Sequence, residues 1–203
     1  MVPAMKRATA GRLLLCRLLC IPLATMGVAG CRADAQRFQA ASRSAEARSY
    51  LNALYMAQTF YRREMGRYSE DFKEIGLEPE RGNHYAYFAA EKGAVQLRRA
   101  AVLPKMTSFS IVAADEHAHP KRAAPLSLKA AGCPLTLGED GTARGLGVTG
   151  EGADQQFIGY AIGNVDDDPD FDCWSIATFA RKTKSGETIP AGQVLHEKSD
   201  FER

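Results

Sequence analysis

An α+β fold, with a long N-terminal helix packed on an antiparallel β-sheet, is what this sequence predicts. Three observations predict it. Residues 34–65 carry apolar side chains at helical spacing, with no Gly or Pro among them. Beyond Gly66 the apolar residues fall in short runs, some of them alternating, set between Gly, Pro, Asn and Asp turn signals. The helical part also precedes all of the strand-forming part, which is the order of an α+β domain and not of repeated βαβ units.

The first element in order is an export signal. Residues 1–17 carry Lys6, Arg7, Arg12 and Arg17 with no acid, and residues 18–29 are almost wholly apolar. A basic start, a short apolar stretch and small residues before a cut site are the parts of such a signal. The stretch is shorter than the ~20 residues a spanning helix needs. It ends in Val28-Ala29-Gly30-Cys31, which fits a bacterial lipobox: small side chains flank the scissile bond and a thiol is ready for acylation. Cys16 and Cys20 follow leucines and lack the small residue at −1. Cys31 is therefore the expected lipidation site.

Removing residues 1–30 leaves 173 of the 203, enough for one domain with a real core. The segment takes four cations and no acid from a chain of formal charge +2, so the remainder is near −2. That balance gives no reason to expect nucleic acid as a partner. With Cys31 acylated, Cys133 and Cys173 form an even pair in an oxidising compartment, and a disulfide is expected in preference to two buried thiols. It would close a loop of about 40 residues and contribute ~3–4 kcal/mol.

The helix is next. Phe38, Ala41, Ala45, Leu51, Leu54, Tyr55, Gln58, Tyr61 and Met65 form its expected inner face. At 1.5 Å per residue, 34–65 would be ~48 Å long, more than a modest head can cover, so its first turns are expected to project. Gly66 is placed to end it. Tyr68, Phe72 and Ile75 anchor an irregular segment, and residues 79–83 are turn chemistry. Strands are expected over 84–90, 108–113, 156–162, 173–179 and 192–196, while 95–103 reads equally as a strand or a helical turn. Residues 139–152, rich in Gly and acids, read as a mobile loop. Tyr50, Tyr55, Phe60, Tyr61, Tyr68 and Phe72 are read as core, and Trp174 as a seal between sheet and helix.

Two segments together resemble type IV pilins. Arg37-Phe38-Gln39-Ala40-Ala41-Ser42-Arg43-Ser44-Ala45-Glu46-Ala47-Arg48, continuing to Asn52–Tyr61 and Gly66-Arg67-Tyr68-Ser69, is similar to the second half of the long pilin helix and the turn after it. Phe157-Ile158-Gly159-Tyr160-Ala161-Ile162-Gly163-Asn164-Val165-Asp166, with Asp172 and Trp174-Ser175-Ile176, is similar to the closing hairpin of pilin heads. The resemblance implies a pilin-like fold and a structural role. It lacks one part: pilins open with a Gly-Phe peptidase site and about twenty apolar residues, whereas here the helix starts almost directly after Cys31. The organisation expected is a signal over 1–30, a long helix over 31–66 and a head over 67–203, with helix and head as one domain.

Asn164, Asp166, Asp168, Asp170 and Asp172 crowd oxygen-bearing side chains into nine positions, and a hard cation, Ca²⁺, would relieve their repulsion. The spacing is not that of an EF-hand, since Phe171 and Ala177 stand where Gly and Glu are required. The alternative is a solvated acidic turn. Asp115, Glu116, His117 and His119 have metal-binding atoms but read as polar loop surface. The glycines at 145, 147, 150 and 152 lack the Lys-Ser/Thr of a phosphate loop. No catalytic residues are assigned, because no local constellation orders a nucleophile and base.

The function expected is therefore non-enzymatic: a lipid-anchored pilin-like protein of the cell envelope, with a structural or interaction role. Its expected partners are the membrane and proteins of a pilus or a type II secretion pseudopilus, with no nucleic acid or small-molecule substrate. Arg32 at +2 is not the Asp that retains lipoproteins at the inner membrane, so the outer membrane is the expected address. The other reading is a calcium-dependent extracytoplasmic binding module unrelated to pili.

Overall fold

The computed structural model describes residues 21–166 and 168–200, with side chains from residue 38 onward. Residues 1–20 of the expected signal thus lie outside the described residues. The chain divides into two compact units between Gln39 and Ala40, and the second holds the latter part of the helix and the head. Helix α1 runs Ile21–Met65, so it begins well before Asp34 and includes Cys31. The reason is local. Pro22 is tolerated in a first turn, and the Leu, Ala and Met that follow are good helix formers. At the other end Gly66 takes φ +75° and its N–H bonds Arg62 O at 2.8 Å, as expected of a residue at C′.

The buried face of α1 is Ala40, Ala47, Leu51, Leu54, Gln58 and Tyr61. From Leu51 to Tyr61 this matches the predicted face, but the two ends do not. Phe38 and Met65 are exposed, as are Ala41 and Ala45. Stepping back from Leu51 by threes and fours reaches residues 47, 44 and 40, so the other alanines lie off the stripe. Phe60, read as core, is 59% exposed.

Among the described residues ten strands follow: β1 (Tyr85–Phe88), β2 (Val95–Gln96), β3 (Ile111–Val112), β4 (Leu137–Gly138), β5 (Gly147–Thr149), β6 (Gln156–Gly163), β7 (Asp172–Ala177), β8 (Arg181–Lys182), β9 (Thr188–Ile189) and β10 (Leu195–Lys198). The larger sheet is ordered β10-β7-β6-β1-β3-β2, antiparallel except for β2 with β3. One edge of β6 carries β7. The other carries β1 opposite residues 160–163 and β5 opposite 156–158, end to end. The loop predicted over 139–152 therefore contains a paired strand. A second sheet, β4-β8-β9, is built from two-residue strands that no periodicity could announce.

Every residue of β1 and β7 is buried, because the larger sheet is covered on both faces. Tyr85, Tyr87, Phe157, Ala161, Trp174 and Ile176 join Leu51 and Leu54 of α1 in one cluster. Ala86, Phe88, Ile158, Tyr160 and Ile162 form the other, with Leu128 and Ala131 of the short helix α2 (Leu128–Ala131). Ser127 caps α2 by accepting from Ala130 N. Trp174 sits in the first cluster, between sheet and helix, with the Arg48 guanidinium 5.7 Å from its ring. Gly159 lets the two layers approach: a Cβ there would lie 2.6 Å from Leu54 Cδ2. Cys133 and Cys173 form a disulfide with Cα atoms 5.8 Å apart, tying the segment after α2 to β7.

Candidate functional site

The turn between β6 and β7 holds the five residues predicted as cation ligands, and the structure separates them. Asp172 is buried and belongs to the core. Its Oδ2 accepts from the Tyr85 hydroxyl at 2.6 Å and from Trp174 Nε1, and its Oδ1 meets His196 Nε2 at 2.5 Å. Burial raises the Tyr85 pKa well above the usual tyrosine value, so that hydroxyl stays protonated and donates. His196 stacks on Trp174 with ring centroids 3.8 Å apart. Asp172 thus has its oxygens turned to neutral donors and a histidine. Asp170 lies beside Lys198, Nζ to Oδ1 3.5 Å, and its N–H bonds Asp168 Oδ1 at 2.7 Å. Asn164 donates from Nδ2 to the Asp168 carbonyl.

What converges is Asp166, Asp168 and a residue the turn's own sequence does not contain, Asp200. One carboxylate oxygen from each lies within 4.8 Å of the others. Asp200 follows β10, which runs beside β7, and this pairing returns the chain to the turn. Its Oδ2 accepts from Val165 N at 2.8 Å. Its Oδ1 is buried with no hydrogen-bond donor among the described residues, and the residue is 5% exposed. Burial pushes the Asp200 carboxyl up to about 7. The Val165 N–H opposes the rise, while the Asp166 charge and the Asp168 carboxylate, with which only a protonated Asp200 can bond, add to it. Arg43 of α1 donates from Nη1 to Val165 O, which fastens the turn to the helix.

The Asp115–His119 segment, read as polar loop surface, is structural. Asp115 is buried and takes Arg81 in a two-pronged pair, Nε to Oδ2 2.5 Å and Nη2 to Oδ1 3.0 Å, with Gly82 N added at 2.9 Å. Arg81 foremost holds the Asp115 carboxyl well below the usual range. His119 stacks on His84, centroids 4.0 Å apart, and His84 Nδ1 meets Glu46 of α1 at 2.8 Å. A groove of about 410 Å³ lies here, lined by Glu46, Tyr50, Arg81 and Tyr87 among others. Glu46 is engaged by His84 and Tyr87, and Arg81 by Asp115.

Ser175 offers a hydroxyl with a charged neighbour, but it is sealed from solvent. It donates to Glu197 at 2.6 Å and accepts from the buried Arg181 at 2.5 Å. A hydroxyl so placed braces the second face of the sheet and cannot meet a substrate.

The family model for type IV pilin PilA matches residues 38–172, from the exposed Phe38 of α1 to the start of β7. The type IV major pilin protein PilA of Myxococcus xanthus (strain DK1622) is 35% identical over 170 residues, covering 78% of this chain and 74% of that one. The family match runs through the latter part of the helix, the paired strands β1 and β6, and the turn that carries Asp166 and Asp168. A long helix against a mostly antiparallel sheet, matched in sequence over most of the head, makes this chain a member of the type IV pilin PilA family.

Proposed function

We propose that this chain is a structural, non-enzymatic pilin-like protein of the cell envelope, held to the outer membrane by acyl chains on Cys31, with its head displayed to the proteins of a pilus or pseudopilus. The observation that carries the reading is the junction of two signals. The match to the pilin family begins at residue 38, only seven residues after a cysteine preceded by Val28-Ala29-Gly30. Among the described residues, no helix is long and apolar enough to cross a membrane. Acylated Cys31 would supply the anchor, since two or three acyl chains give stable attachment where one does not. On this reading the mature protein starts at residue 31, with 31–66 as helix and 67–203 as head. Membership of the pilin family favours this over a binding module unrelated to pili.

The test is metabolic lipid labelling with membrane fractionation, wild type against Cys31→Ala. Wild type should carry label and sediment with outer membrane, and the variant should lose the label and leave that fraction. Identical labelling and fractionation of the two proteins would refute the anchor.

A further inference from the structure

We propose that residues 97–104, the run after β2, form a seat that rests the head on the anionic bilayer to which the chain is tethered. The inference builds on the Cys31 anchor proposed above and names the part of the head that meets lipid. Val102 is 84% exposed and Leu97 39%, and Ala100, Ala101 and Pro104 are exposed with them. Apolar residues scattered singly on a surface need no explanation, but five in eight positions make a patch. Exposed Arg99 lies within the run and exposed Lys105 follows it. Over residues 97–122 five cations stand against two acids. That mixture suits a headgroup layer, where apolar side chains enter the acyl boundary and cations meet phosphate.

The run is braced from behind. Arg81 donates from Nη2 to Ala100 O at 3.1 Å and from Nη1 to Ala101 O at 3.0 Å, while it also holds Asp115. Buried Arg98 fixes the root by donating to the carbonyls of Pro79 and Glu80, and His117 N bonds Arg98 O at 3.0 Å. A patch presented on a fixed base loses little freedom on docking. These bonds also give its position. The 115–119 segment stacks His119 on His84, and His84 meets Glu46 of α1. Glu46 is six positions beyond Ala40, where the head's unit begins. The patch therefore lies toward the end of the head at which α1 enters.

The tether makes lipid the occupant. Nine residues separate Cys31 from Ala40, and they reach ~32 Å at most. Acyl chains on Cys31 keep this end of the head within that distance of a bilayer. Tethering raises the effective concentration of the surface, so a contact too weak to hold a free protein suffices. The acidic β6–β7 turn lies across the sheet, with β1 and β3 between it and β2. Anionic lipid repels that side, and the head leans on its β2 edge.

Tryptophan fluorescence of the full chain, purified from membranes and reconstituted into vesicles, tests this. Trp174 is the chain's one tryptophan and is buried, so Val102→Trp adds a second reporter at an exposed position. The vesicles are phosphatidylcholine with or without phosphatidylglycerol, and the acyl chains carry bromine as a quencher. In anionic vesicles Val102→Trp should emit further to the blue and be quenched at least about twofold more than wild type. In neutral vesicles, or at ~1 M salt, where screening shortens to about 3 Å, the extra quenching should vanish. Lys105→Glu/Lys121→Glu in the same background should abolish it too. Equal quenching in neutral and anionic vesicles, or quenching that survives the charge reversal, would overturn the headgroup contact. The lipid label on Cys31 is read in parallel. Labelled protein with no extra quenching in either vesicle would overturn the seat, leave the anchor standing and assign the patch to a protein partner. Unlabelled protein that is still quenched in anionic vesicles would refute the anchor and support the seat.

Discussion

Gly159 and Asp200 show how single residues set the head's tolerance. At Gly159 the sheet and α1 come so close that a methyl group would meet Leu54 Cδ2 at 2.6 Å. Gly159→Ala should destabilise the head by about 1–3 kcal/mol through overpacking, read as a lower urea midpoint at unchanged slope. A midpoint equal to wild type would show that Leu54 yields freely. Asp200 governs pH dependence in the opposite sense to most carboxylates. Its carboxyl titrates at about 7 in the folded protein against an ordinary 3.8. Its contribution is therefore fully present below about 4 and lost as pH rises toward 7. The groups facing it are Asp166, Asp168 and the Val165 N–H, with Arg43 and Lys198 close by on α1 and β10. Asp115 acts the other way: held low by Arg81, it contributes stability that is lost as pH falls through the acid range. The acid-rich turn was legible as a place, because Asn164 to Asp172 crowd one short segment. Its membership was not. Asp200 reaches the turn only through the β10–β7 pairing, and Asp172 leaves it only because Tyr85 and Trp174 claim its oxygens.

The closing hairpin β6–β7 is the element on which most else depends. It carries six paired positions and one half of the disulfide, and Arg43 and Asp200 meet its turn. The bridge closes a 40-residue separation, and its loss should remove ~3–4 kcal/mol by loosening the unfolded chain's constraint. Cys133→Ser/Cys173→Ser should therefore unfold at clearly lower denaturant than the oxidised wild type. A midpoint that matches wild type would mean that the two sheets hold the segment after α2 without it. Long elements with a clear period were readable: β6 and β7 from alternating aromatic and aliphatic residues, and α1 from Leu51 onward. Short ones were not. Strands β4, β8 and β9 have two residues each, too few for a period, and they exist because Leu137, Gly138, Arg181 and Lys182 are brought together by the fold. The start of α1 was misplaced for another reason, since an apolar signal-like stretch and a helix draw on the same residues.

For the molecule as a whole, α+β is the right class, and the larger sheet is covered on both sides. The second cover, α2 and the segment around it, is built from residues such as Leu128 and Ala131 that carry no long pattern. The proposed anchor makes its own prediction at this scale. Cys31 lies outside the compact unit that begins at Ala40. Cys31→Ala should therefore move the protein out of the membrane fraction while the head's melting temperature stays unchanged. A lower melting temperature would show that the cysteine serves the fold and not the tether.

The side chains along α1 also decide how the head answers force. Arg43 grips the turn after β6, Glu46 holds His84 and Tyr87, Gln58 bonds Ser69, and Arg62 bonds the carbonyls of Ala153 and Gln155. A pull along the helix axis meets these fastenings in parallel, as a bolted lap joint takes load in shear, and cannot open them one by one as a zipper. Resistance to such a pull is set by the barrier to breaking them together.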